Sequence, residues 1–386
     1  MIDPYRPFSL YIHFPFCQTK CSYCAFYSEE TRRDSPSISM YEKVLLQELK
    51  AIVDIRKAPF ETVYIGGGNP GLASLTALTE ILEMIHSLGT PKELSIEMNP
   101  ESLHGGHAQL FEQGLSRLSI GIESLAVNHL RTLGRHATRE TNLRAMNLAN
   151  EFHKSYPIQL NFDLMTCIPG QTIADALSDI DTLIDLSAPE HISLYNLTVE
   201  EGTILAKEVA NGTLQVIDED QQAEMLSACW AHLAQLGYNQ YEISNFSTTA
   251  ATRCKHNERY WRLQDYIGIG PSAAGTIGNN RTTSDATIET YRRAPSFASY
   301  TLETMDRLTL MNEQLLMGLR TTDGIDKEAW LARYGVNFDQ LCEAEIAFLE
   351  QQDPVLIHNT ENNFALTSSG FMVLDAIVLK LSQALV

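Results

Sequence analysis

The sequence predicts an α/β fold: a partial (β/α)6 TIM-like barrel followed by a small C-terminal winged-helix-like α+β domain. Three observations point there. Six short β-like runs alternate with helix-like stretches, the polar residues best suited to chemistry fall where those runs end, and the chain changes character after about Thr301. Strands alternating with helices imply parallel βαβ units, and six such units close only part of an eight-unit barrel.

The predicted strands run from Ser9 to Phe14, Thr62 to Ile65, Leu94 to Met98, Arg117 to Ile122, Gln159 to Met165 and His191 to Leu197. Between the first two, Tyr41 to Ile55 sets Val44, Leu45, Leu49, Ile52 and Val53 on one helical face, and Leu75, Leu78, Leu82 and Ile85 repeat the pattern after the second. Beyond Thr301, Leu308 to Leu319, Lys327 to Tyr334 and Phe338 to Gln351 read as helices. Val355 to His358 and Asn363 to Leu366 read as a hairpin before a last helix from Gly370. The expected divisions are 1–236 for the barrel, 237–300 for a connecting segment and 301–386 for the C-terminal domain.

A formal net charge of −20 argues against a broad phosphate-binding surface, which needs clustered Lys and Arg, so no nucleic-acid partner is expected. The acidic stretch from Asn337 to Glu345 makes the winged-helix-like tail a lid or partner surface rather than a DNA reader. The first residues lack a charged region followed by an apolar core, and no apolar run is long enough to cross a bilayer. The expectation is a cytoplasmic protein that is not an integral membrane protein.

Cys17, Cys21 and Cys24 crowd into one loop with C-x3-C-x2-C spacing. Three thiolates on a short loop can hold three irons of a [4Fe–4S] cluster and leave the fourth without a protein ligand. Zinc and plain structural cysteines are the competing readings, although no second cysteine pair follows that would complete a structural zinc site. Disulfides are disfavoured in a chain with no secretory signal. Cys167, Cys229, Cys254 and Cys342 are read as packing residues.

In a (β/α) barrel the chemistry sits at the carboxyl ends of the strands. Cys17 to Cys24 follows the first predicted strand, Gly66-Gly67-Gly68-Asn69-Pro70 the second, Glu97 and Asn99 end the third, Glu123 ends the fourth, and Asp163 lies late in the fifth. All would face one mouth. Taken singly, each is more ordinary as a turn glycine, a solvated carboxylate or a satisfied core polar group.

Leu-Tyr-Ile-His-Phe-Pro-Phe-Cys, with Tyr11 before the first cysteine and Tyr23 before the third, resembles the radical S-adenosylmethionine (SAM) superfamily, and more narrowly its oxygen-independent coproporphyrinogen III dehydrogenase branch. That resemblance implies a [4Fe–4S] cluster on Cys17, Cys21 and Cys24, with SAM chelated to the open iron and split by an electron from the cluster. It also implies that Tyr11, Gly67 and Glu97 meet the cluster-bound SAM, while Tyr23, Gly68, Asn69, Glu123, Arg135 and Asp163 fall where the dehydrogenase holds a second SAM. The departures from the branch are Asn69 for Thr, Glu123 for Gln, and Thr166-Cys167 for a Tyr-Gly pair, and they bear on the second SAM more than on the first.

Two features separate this chain from the dehydrogenase. Phe26 stands where that enzyme has a further cysteine, and only sixteen residues precede Cys17 where the enzyme has a longer segment. Downstream, His256-Asn257-Glu258-Arg259-Tyr260-Trp261 carries His-Asn-x-x-Tyr-Trp, similar to the signature of the HemW subgroup of haem chaperones. The resemblance implies a protein that binds haem and delivers it to an acceptor haemoprotein such as a respiratory cytochrome, soluble or membrane-bound. His256 is the expected haem contact, because imidazole ligates haem iron and the neighbouring aromatics can lie against a macrocycle. The plainer alternative is that His256 caps or hydrogen-bonds within a loop and Trp261 fills the domain junction. The alternatives in function are decarboxylation of coproporphyrinogen III propionates, or another radical reaction on a tetrapyrrole.

Overall fold

Alternation along each barrel strand decides which way the barrel faces. The structure, a computed structural model, describes residues 3–284, 287–293 and 300–385. The strands are β1 (Ser9–Phe14), β2 (Thr62–Gly67), β3 (Glu93–Met98), β4 (Arg117–Glu123), β5 (Gln159–Thr166), β6 (His191–Asn196), β7 (Asn239–Gln240), β8 (Asn245–Ser247), β9 (Tyr266–Ile269), β10 (Ala274–Ile277), β11 (Asn280–Ser284) and β12 (Tyr300–Thr304). They form one sheet in the order β12-β11-β10-β9-β1-β2-β3-β4-β5-β6-β8-β7, parallel from β9 through β6. The six expected barrel strands are all present, each within two residues of its predicted ends. The stretch 237–300, expected as a connecting segment, contributes strands to both edges of the sheet.

Apolar residues take every second place: Leu10, Ile12 and Phe14 on β1, Leu94, Ile96 and Met98 on β3, Leu118, Ile120 and Ile122 on β4. They pack against a ring of helices that includes Pro36–Ile55, Leu75–His86, Arg139–Ser155 and Ile173–Ser187. The first begins five residues before its expected start, because the Ser35 hydroxyl accepts from the Ser37 amide and Pro36 needs no partner for an N–H. The remaining places on the strands are polar and face inward, where they bond to one another across the sheet. Asn161 donates to Ser119 (2.7 Å) and to Asp163 (2.8 Å), and His191 meets Asn161 (2.6 Å). Such a lining satisfies its polar groups internally, as burial requires.

The floor of the barrel, at the amino ends of the strands, is closed by the helix Lys255–Trp261. Glu93, the first residue of β3, accepts from the backbone amides of Lys255 (3.0 Å) and His256 (3.1 Å) and pairs with Arg117, the first residue of β4, at 3.3 Å. A buried carboxylate at a helix start satisfies amides that the helix leaves orphaned.

The C-terminal domain packs the helices Arg307–Gly318, Lys327–Tyr334 and Glu343–Leu349 with a small antiparallel sheet of β13 (Ile325–Asp326), β14 (Ile357–Asn359) and β15 (Asn363–Leu366), β15 in the middle. The single helix expected from Phe338 to Gln351 is interrupted at Cys342, whose φ of −106° and ψ of 22° leave the helical region. Buried Lys327 fastens the hairpin to the helices through Asp339 (2.8 Å), Asn359 (2.7 Å) and the Thr360 carbonyl (2.6 Å).

Burial pushes the Glu93 carboxyl up, but Arg117 and the two helix amides outweigh it and hold the group below the usual carboxylate range. Its stabilising contribution is therefore complete above the unfolded value of about 4.3 and is lost as the pH falls through the lower folded value. Glu93→Ala, which strands Arg117, should cost about 3–5 kcal/mol in denaturant unfolding at neutral pH. The difference from the parent should narrow on acidification.

Candidate functional site

The cysteine loop is shaped by its two ends. Phe16–Cys17 pairs in parallel with Glu29–Glu30, and the Thr31 amide donates to the Cys17 carbonyl at 2.8 Å. Midway, the Ser22 amide donates to the Leu133 carbonyl (2.9 Å) and the Ser22 carbonyl accepts from Leu205 (2.8 Å), so the loop is moored to the segments after β4 and β6. Cys17 is buried and Cys21 and Cys24 are partly so, all as free thiols. Burial pushes Cys17 up to about 12 and raises Cys24, and in both cases the neighbouring cysteines add to the shift. Such thiols release protons only when something replaces the charge, as a bound metal centre does. Among the described residues no three His, Cys, Asp or Glu side chains gather round a point fit for a single metal ion.

His13, which the sequence reading did not single out, joins this loop to the barrel. Its ring contacts the Tyr11 hydroxyl through Nδ1 and the Tyr27 carbonyl through Nε2, both at 2.9 Å. Gly67 then passes directly beside it. A Cβ on Gly67, at φ +111°, would lie 2.5 Å from the His13 ring, and one on Gly68 would lie 2.6 Å from the Phe16 carbonyl oxygen. Only glycine brings the loop after β2 this close to the cysteine loop.

Asn69 locks that loop from behind. Its Oδ1 accepts from the amides of Gly71 (3.2 Å) and Asn99 (3.1 Å) and from the Ser102 hydroxyl (2.9 Å), while its Nδ2 is buried without a partner. Arg135 lies on the other side of Asn99, donating to Asn99 Oδ1 (3.5 Å), to Cys21 Sγ (3.6 Å) and to the Gly121 carbonyl, with its Nε unpartnered.

Three carboxylates face this opening. Glu97 accepts from the Gly67 amide (2.5 Å) and the Tyr64 hydroxyl (2.8 Å), yet burial and nearby Asp163 push it up to about 7. Glu123 sits at φ +63°, where β4 breaks register against β5, and 3.8 Å from Arg135; burial pushes it to about 7 as well, against the pull of that guanidinium. Burial also raises Asp163, against hydrogen bonds from Ser193, Asn161 and Ser119. Tyr23 hydrogen-bonds to Glu123 and packs beside Leu133, Met165 and Ile168. Tyr11 stacks on Tyr64, ring centroids 6.3 Å apart.

All nine residues expected to meet SAM therefore converge at the mouth with the cysteine loop. Their chemistry fits that ligand. Three carboxylates, Glu123 buried and Glu97 and Asp163 half-buried, against one guanidinium call for positive charge, which the sulfonium and ammonium of SAM carry, and the unpartnered donors of Asn69 and Arg135 can meet its carboxylate. Tyr64, His13, Ser119, Asn161 and Ser193 were missed, although Ser119 and Asn161 stand at period-two spacing from Glu123 and Asp163 on the same strands, which was a readable signal.

His256 is elsewhere. It is fully buried on the floor helix, its Nδ1 meets the Thr62 hydroxyl and its Nε2 the Tyr260 hydroxyl, both at 2.8 Å, and burial pushes it down to about 3. With no exposed surface and both nitrogens bonded, the ring offers a haem iron no free lone pair in this structure. The ring is bonded to Tyr260 in its own helix and to Thr62 on β2, 194 residues earlier.

A model of the radical SAM superfamily matches residues 11–183, and one of the HemN C-terminal domain matches residues 305–373. The chain is 31% identical to a Bacillus subtilis protein named heme chaperone HemW, over 94% of this chain and 96% of that one. It is 32% identical to a Bos taurus protein named radical S-adenosyl methionine domain-containing protein 1, mitochondrial, over 98% of this chain and 88% of that one. Among solved structures, the coproporphyrinogen III oxidase HemN of Escherichia coli, described as a radical SAM enzyme, superposes with a TM-score of 0.79 at 19% identity, covering 98% of this chain and 91% of that one. At that identity the likeness speaks for the fold.

Two outcomes follow from this geometry. Replacing Cys17, Cys21 or Cys24 by Ser should each remove most reconstituted cluster iron and its visible absorbance, whereas Cys229→Ser and Cys342→Ser should not, as iron and sulfide assays would record. Because Glu97 titrates upward of its unfolded value, the folded chain without ligand loses stability as pH rises from about 4.3 toward about 7. A cationic ligand reverses the sign, so SAM affinity measured by equilibrium dialysis should rise between pH 6 and pH 8, and Glu97→Gln should flatten that rise.

Proposed function

We propose, because this chain belongs to the HemW family within the radical SAM superfamily, that it is a haem chaperone: it binds haem and delivers it to acceptor haemoproteins such as respiratory cytochromes. The observation that carries this reading is likeness to proteins named heme chaperone HemW along almost the whole chain, rather than in the barrel alone. Phe26 supports it. At 71% exposed, it puts an apolar ring at the mouth where the decarboxylating branch is expected to have a thiol.

In this reading Cys17, Cys21 and Cys24 hold the [4Fe–4S] cluster, with Arg135 beside Cys21 offsetting thiolate charge. Tyr11, Gly67 and Glu97 hold one SAM, and Tyr23, Gly68, Asn69, Glu123, Arg135 and Asp163 line the space beside it. The cluster, when bound, supplies an open iron and one-electron chemistry. The protein's own part is electrostatic: Glu97, Glu123 and Asp163 are pre-placed for positive charge, and the inward-facing polar lining keeps them bonded. No helix among the described residues is long and apolar enough to cross a membrane. The proposed compartment is the cytoplasm, and the acceptor is a haemoprotein reached there or at a membrane surface. The acidic surface of the C-terminal domain is the proposed lid or partner face.

The test is anaerobic reconstitution with iron and sulfide, followed by incubation with haem or with coproporphyrinogen III, SAM and reductant. The expected result is stoichiometric haem uptake, transfer to an apo-cytochrome and no protoporphyrinogen. Catalytic formation of protoporphyrinogen without haem retention would replace the chaperone with the decarboxylase.

A further inference from the structure

The His-Asn-x-x-Tyr-Trp segment closes the floor of the barrel, yet one of its side chains reaches the SAM cradle through a single intermediary. His256 lies against Tyr64 with ring centroids 5.3 Å apart and planes 28° apart. Tyr64 in turn donates its hydroxyl to Glu97 Oε2 at 2.8 Å, and Glu97 Oε1 takes the Gly67 amide. The tyrosine ring is thus held between His256 below and Tyr11 beside it, and its hydroxyl fixes the rotamer of the carboxylate at the mouth.

His256 is itself immobilised from three sides. Thr62, two residues before Tyr64 on the same strand, takes Nδ1, and Tyr260 takes Nε2 while packing edge-on to the ring at 5.0 Å. Glu93 holds the His256 backbone amide at 3.1 Å. Fixing a ring that packs on another ring narrows the second ring's freedom, and preorganising a ligand-binding group increases affinity by lowering the ordering cost of binding.

We infer that His256 and Tyr64 are positioning residues for Glu97, and that the motif helix sets SAM affinity from the barrel floor rather than by touching SAM or haem. The inference rests on the reading of Glu97 as a SAM contact.

SAM binding to anaerobically reconstituted full-length protein, measured by equilibrium dialysis beside a thermal melt, tests it. Tyr64→Phe keeps the stack but loses the hydroxyl and should weaken SAM binding about tenfold, the loss expected for one hydrogen bond to a charged group. His256→Ala should weaken it several-fold, while His256→Phe, which restores a ring against Tyr64 but not the bonds to Thr62 and Tyr260, should recover SAM affinity even where the melting temperature stays low. In a Glu97→Gln background, His256→Ala should add little further loss, because the two changes act on one contact. Losses that add in full in the double variant, or SAM affinity that tracks only the melting temperature across the His256 series, would overturn the inference. If Glu97→Gln alone leaves SAM affinity unchanged, the placement of the SAM site itself has failed.

Discussion

The gathering of buried Glu123 and half-buried Glu97 and Asp163 beside a single guanidinium is the constraint on which the rest of this structure depends. Carboxylates taken out of water must be protonated, bonded or matched with a cation, and each of these is pushed up by burial until one of those conditions is met. The barrel supplies the bonds from its own inward face: Tyr64 and the Gly67 amide to Glu97, Ser119, Asn161 and Ser193 to Asp163, and Arg135 near Glu123. The remaining positive charge is left for a ligand. A cavity whose polar groups are held this way is a poor apolar core and a good receptor for a zwitterion with a surplus positive charge.

That lining needs a closed floor, and the chain provides it from far away in sequence. The helix Lys255–Trp261 stops the amino ends of the strands, with Glu93 and Arg117 beneath it and the His191 to Tyr241 contact of 2.7 Å at its side. Its outer flank is tied to the C-terminal domain, Arg253 and Arg262 reaching Asp323 at 3.5 and 3.1 Å. The helix therefore stands between the polar mouth lining and the C-terminal domain.

The parallel strands were legible because their pattern is local: apolar residues alternate with polar ones within six or seven positions, and glycine or charge follows. The mouth was legible for the same reason, since strand ends and cysteine spacing lie close in sequence. What the sequence did not disclose was long-range. His256 reads as a free imidazole beside aromatics, and its true partners, Thr62 and Glu93, lie more than 160 residues earlier. The helix that carries it owes its start to Glu93 rather than to any cap of its own. The break at Cys342 likewise follows from packing, as neither glycine nor proline marks it.

In the proposed function, the polar mouth of the barrel holds SAM against the open iron of a cluster on Cys17, Cys21 and Cys24. Pulsed EPR on the reduced, reconstituted protein with SAM carrying nitrogen-15 in its amino group tests it most directly. A hyperfine coupling between that nitrogen and the cluster spin is expected in the parent protein, and its loss when Cys21→Ser removes the cluster. SAM bound at full occupancy beside an intact cluster, with no such coupling, would contradict it.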